Sequence, residues 1–150
     1  MKNNLFIDSD IIIDVYSKRD PFYESSAKII SLGDCGKLSL STSPVVIANV
    51  FYILKKYGNK EFARSSLMKI RKIISVLSVN EKEIDLALAS GFSDFEDAIQ
   101  YYVSIENKID FIITRNKSDY KKSKIPVCNA QEYINLYKSS KGFWQKFKMR

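Results

Sequence analysis

Short apolar runs separated by stretches of helical periodicity constrain the fold of this chain more than any other feature. LFI (5–7), KLSLSTS (37–43), ISVLSV (74–79) and IDFIIT (109–114) read as strands, and KIPVC (124–128) as a short fifth. Between them lie segments that read as helices. PFYESSAKIISLGDCG has Pro21 at its start and Gly33 and Gly36 at its stop. SPVVIANVFYILKKYG ends at Gly58, and NKEFARSSLMKIRKI is amphipathic after it. NEKEIDLALASG opens with Asn80 and Glu83 in capping-box spacing and closes at Gly91, and SDFEDAIQYYVSIEN repeats the device with Ser93 and Glu96. NAQEYINLYK reads as a last helix. Strands that alternate with helices imply an α/β fold, a central and mostly parallel sheet of four to five strands flanked by helices. Neither an internal repeat nor a low-complexity linker divides the chain, so one domain is expected over 1–138, with a basic aromatic tail over 139–150.

In such sheets ligands bind beyond the carboxyl ends of the strands. The run NNLFIDSDIIIDVY puts Asp8 and Asp10 directly after the first strand. A helix cap needs one aspartate, worth about 0.5–2 kcal/mol, so the second calls for another role. In SDFED, Asp94 and Asp97 stand three apart on one helical face, where their charges repel unless a cation lies between them. The fourth strand is followed by TRNKSD, which carries Arg115, Asn116 and Asp119.

The chain contains no histidine, which excludes serine–histidine triads, cysteine–histidine pairs and imidazole-based ribonuclease chemistry. With two distant cysteines, Cys35 and Cys128, any metal must be held by oxygen, which points to Mg2+ or Mn2+. The formal net charge of +7 favours a polyanionic partner. An acidic crevice on a basic chain suits hydrolysis of a phosphodiester with a divalent cation as electrophile. No apolar run approaches the roughly 20 residues of a membrane span, and the opening MKNNLFIDSD lacks the pattern of a signal peptide. A reduced, cytoplasmic protein is expected.

Taken in order, FIDSDIIIDV, SPVVIANVFYIL, DFEDAIQYY and IITRNKSDY resemble the PIN-domain family, the metal-dependent ribonuclease fold of VapBC-type toxins, over nearly the whole chain up to about Tyr137. The resemblance implies Asp8 and Asp97 as metal ligands, and Asp94 and Asp119 of this chain are expected to complete the catalytic set by compensating for two neutral amides. It also places Asn49 where the family commonly has a glutamate, and Asn116 where it has the aspartate of a T-R-D motif. Asp10, Asn49, Arg115 and Asn116 are then expected to bind substrate. Cleavage of single-stranded RNA, a homodimer and a small antitoxin partner are further implications. Two other readings stand beside this one. The amides at 49 and 116 suit an RNA-binding module with a weakened site. LFIDSDIII also fits the Asp-x-Asp start of haloacid-dehalogenase-like phosphatases, which need a later acidic pair at the end of a strand.

Overall fold

Leu5, Phe6 and Ile7 are wholly buried, as a strand covered on both faces must be. They lie in β1 (Asn4–Ile7), which pairs in parallel with β2 (Ser39–Thr42) on one side and β4 (Phe111–Ile113) on the other. β3 (Ile74–Val76) adds outside β2 and β5 (Val127–Cys128) outside β4, giving a five-stranded parallel sheet in the order β3–β2–β1–β4–β5. The computed structural model describes residues 2–148, with side chains through Lys141.

Among the described residues there are seven α-helices, six of them in the connections between strands. α1 (Ser9–Tyr16) and α2 (Tyr23–Asp34) join β1 to β2, α3 (Pro44–Tyr57) and α4 (Lys60–Ile70) join β2 to β3, and α5 (Glu81–Leu88) and α6 (Phe95–Glu106) join β3 to β4. α7 (Ala130–Lys148) follows β5. The chain steps outward from β1 to β3 and then returns across the sheet to β4. Right-handed crossovers therefore cover both faces. α1 packs on α2 and α3, and α2 on α7, while α5 packs on α6. α2 approaches β2 so closely that a Cβ at Gly33 would collide with Leu40.

Several boundaries differ from the sequence reading, each for a local reason. α2 begins at Tyr23, past Pro21. α5 stops at Leu88, three residues before Gly91, where the N–H and Oγ of Ser90 both donate to Ala87 O in a tighter turn instead of continuing the α-helical ladder. Glu83 does complete its cap, accepting from Asn80 N at 3.1 Å. The expected box of Ser93 and Glu96 does not form. Asp94 is the N-cap of α6, its Oδ1 accepting from Asp97 N at 3.0 Å, so the helix starts one residue later than the Ser93 reading has it. α7 continues in backbone well past Lys138, whereas the side chains of Phe143, Trp144 and Phe147 lie outside the described residues.

The order reverses at β1, where β2 departs on one side and β4 lies on the other. Ligands bind at such switch points, beyond the carboxyl ends of the strands. Asp8 leaves β1 there, and Thr114, Arg115 and Asn116 leave β4 beside it.

Candidate active site

A polar cavity of about 290 Å³ opens at this end of the sheet. Asp8, Asp10, Asn49, Asp94, Asp97, Arg115, Asn116 and Asp119 all line it. The residues singled out from four separate segments therefore meet in one place.

Asp8 is positioned twice over. As N-cap of α1 its Oδ1 accepts from Ser9 N at 2.8 Å, and its Oδ2 accepts from Thr114 Oγ1 at 2.8 Å. The capping role and a role in the cleft coexist, because a carboxylate has two oxygens. Asp97, in the first turn of α6, reaches the same space from the other side. Between them stands the hydroxyl of Tyr120, 3.2 Å from Asp97 Oδ1 and 3.5 Å from Asp8 Oδ2. A phenol has one proton to donate, so it serves one carboxylate well at a time, and Asp97 is the nearer.

The electrostatics follow from that crowding. Burial, then the charge of Asp10, raises Asp8 from 3.8 to about 6. Burial, then the charges of Asp8 and Asp94, raises Asp97 to about 8. The repulsion between Asp8 and Asp97 is shared, so the two carboxyls titrate as a pair. Burial and the facing carboxylates push the Tyr120 phenol far up, which keeps it a neutral donor. Asp119 lies near enough to Asp97 to add a little to that carboxyl's rise.

Arg115 is held rather than free. Its backbone N–H donates to Asp10 Oδ2 at 2.8 Å, and its NH2 donates to Asp14 Oδ1 at 3.1 Å. Nε lies 2.9 Å from Asp14 Oδ2 as an ion pair, but misaligned for a hydrogen bond. The guanidinium also sits 4.2 Å from the centre of the Phe22 ring. Burial raises Asp14, and the charge of Arg115 opposes that rise. Asn49 donates to Ser9 Oγ at 3.1 Å, tying α3 to the start of α1. Its amide thus has a structural duty in addition to facing the cleft.

Three residues of the site were missed in the sequence, the first being Thr114, which read only as the end of a strand. Asp14 had a signal, since it stands one helical turn after Asp10 among isoleucines and is fully buried. Tyr120 had none, because an aromatic in a loop reads as core.

The donors suit a hard cation. All are oxygens, and Asp8 and Asp97 carry raised values that a positive charge would relieve. Among the described residues no group of three His, Cys, Asp or Glu is set to hold a metal ion. Mg2+ is commonly bound through one or two carboxylates and keeps several waters, so the pair fits that mode.

Residues 4–118 match the family model described as PIN domain. Ribonuclease VapC1 of Aquifex aeolicus is 26% identical over 138 residues, covering 89% of this chain and 94% of that protein. Among solved structures, the sarcin–ricin-loop-cleaving toxin VapC20 of Mycobacterium tuberculosis superposes with a TM-score of 0.63 at 14% identity, covering 78% of this chain and 95% of that one. A toxin–antitoxin complex from Klebsiella pneumoniae gives 0.62 at 20% identity, with 84% and 97% covered.

Proposed function

The chain belongs to the PIN domain family, and from that premise we propose that it is a toxin-type endoribonuclease that cleaves single-stranded RNA with Mg2+ or Mn2+. The observation that carries this reading is the meeting of Asp8 and Asp97 at the end of β1, two buried carboxyls from distant segments whose charges oppose one another. Asp8 and Asp97 would hold the cation, with Asp94 and Asp119 at the rim. When bound, the cation supplies Lewis acidity toward the phosphodiester and neutralises its charge.

The chain's own groups do the rest. Thr114 and Ser9 N fix the rotamer of Asp8, and Asp94 fixes the first turn of α6 beneath Asp97. Arg115, anchored on Asp14, presents its remaining N–H groups to a non-bridging phosphate oxygen. Asp119 accepts the proton of the attacking water at its carboxylate, standing in for the imidazole the chain lacks. As the water oxygen bonds to phosphorus, the opposite P–O bond breaks, the leaving oxygen takes a proton from solvent water, and Asp119 returns its proton to solvent.

The test is cleavage of a labelled single-stranded RNA by the purified protein with Mn2+, with EDTA, and with Asp97→Asn as control. Cleavage that persists unchanged in EDTA would sink the mechanism. RNA binding without turnover under every condition would favour the weakened-site reading, which has the absence of a ready three-carboxylate group among the described residues in its support. The phosphatase reading has lost its footing, because Asp94 and Asp97 open a helix and do not end a strand.

We also propose an antitoxin partner and a homodimer. Tyr52 and Met68 stand exposed beside an apolar groove between α3 and α4, more apolar surface than solvent favours in one place. A strictly monomeric mass by light scattering at micromolar concentration counts against the dimer. Among the described residues no helix is long and apolar enough to cross a membrane.

A further inference from the structure

Beside the carboxylate cleft lies a second cavity of about 450 Å³, and the two share Arg115 and Asn116 as a common wall. Its lining is of two kinds. Ile11, Pro21 and Phe22 give an apolar side, while Ser26, Asn129 and Gln131 give polar groups. Ser26 is 0% exposed, yet its Oγ has no hydrogen-bond partner. A buried hydroxyl left so carries an uncompensated desolvation cost, which a group entering the cavity would offset.

The start of α7 adds donors to the same wall. Glu132 and Asn129 satisfy one another's backbone N–H groups at 3.0 and 2.8 Å. The N–H groups of Ala130 and Gln131, in the first turn, have no protein acceptor among the described residues. An apolar slot with a donor-rich edge, opening onto the place where a phosphodiester would sit, fits a flat heterocycle attached to that backbone.

We propose that this cavity is a nucleobase pocket, which takes an unpaired base flanking the scissile phosphate and prefers bases with exocyclic carbonyl oxygens over adenine. The proposal rests on the ribonuclease reading for its substrate. Apolar and guanidinium surfaces beside Phe22 receive the face of the base, as in other single-strand recognition. Carbonyl oxygens accept from the N–H groups at the α7 start, and adenine has none to offer.

The test is fluorescence anisotropy of the full chain in EDTA, where the strand stays intact, with labelled U8, A8 and an abasic octamer as probes. Wild type should bind U8 at least about fivefold more tightly than A8 and about tenfold more tightly than the abasic strand. Ser26→Leu, which fills the slot, should bind the three alike. Ala130→Pro, which removes one of these N–H groups at the first helical position, where proline is tolerated, should lose part of the U8 preference while circular dichroism shows the helix content of wild type. Equal binding of the three probes by wild type overturns the pocket, as does full U8 preference in a folded Ser26→Leu or, should that variant not fold, in Ala130→Pro. Base-dependent binding without cleavage in Mn2+ leaves the pocket standing and removes the nuclease. Cleavage with base-independent binding does the reverse.

Discussion

Replacing Asp97 by asparagine should make the cation-free protein more stable while abolishing its cleavage. The folded carboxyl is raised from 3.8 to about 8 by burial and by the charges of Asp8 and Asp94. In the unfolded chain it is ionised at pH 7.5. Each pH unit separating the two states is worth about 1.4 kcal/mol, which sets an upper bound of about 5 kcal/mol on the penalty. The cleft is open to water, which weakens the repulsion, so a gain of about 2 kcal/mol is expected for Asp97→Asn. That corresponds to a melting temperature higher by about 4–8 °C for a chain of this size. Because the folded values of Asp8 and Asp97 are raised, the folded state holds protons that the unfolded state has released. Wild-type stability from these groups is full below about pH 4 and is lost as pH rises through about 6 for Asp8 and about 8 for Asp97. The gain should therefore be small at pH 4.5 and largest at pH 8. Thermal unfolding followed by circular dichroism in EDTA across that range measures it. Adding Mn2+ at 100 times its dissociation constant should stabilise wild type by about 2.7 kcal/mol and leave the variant unmoved. A variant that melts at or below wild type at pH 8 in EDTA, or whose advantage does not change with pH, refutes the reasoning.

Asp14→Ala should lower stability by about 1.5–3 kcal/mol, since it removes the carboxylate that anchors the partly exposed Arg115 guanidinium and leaves it only Asp10 and Phe22 nearby, and urea denaturation measures that loss. Asp94→Ser should keep the α6 cap and relieve charge at Asp97, whereas Asp94→Ala should melt below Asp94→Ser by an amount worth about 1 kcal/mol. Tyr120→Phe should keep the fold and raise the apparent affinity for Mn2+ in calorimetry, because the hydroxyl otherwise fills the place between Asp8 and Asp97; unchanged affinity argues against a shared place. Truncation after Lys141 should flatten the slope of log RNA affinity against log salt by about 0.7 for each phosphate no longer held, and an unchanged slope with a lower melting temperature assigns those residues to packing instead.

What the sequence determined by itself is whatever a local pattern records. Apolar runs of strand length separated by amphipathic stretches require a parallel sheet under helices, because strands joined by helical crossovers run in one direction. Asp8 and Asp10 at the exit of the first run, and Arg115, Asn116 and Asp119 at the exit of the fourth, then fall at the ligand-binding end of that sheet whatever its details. The absence of histidine removed imidazole from the chemistry. Finer matters escaped it. Ser93 and Asp94 are both good caps, and which one starts α6 depends on how the helix must dock for Ala98, Ile99 and Tyr101 to be buried. The hydroxyl of Tyr120 reaches Asp8 across 112 positions of sequence, and Arg115 reaches Asp14 across 101. The two cavities share a wall only because β4 lies beside β1, and no periodicity along the chain encodes that adjacency. It is decided when the crossovers pack and the strand order reverses at β1, because the meeting of distant segments follows from where whole elements bury their surfaces.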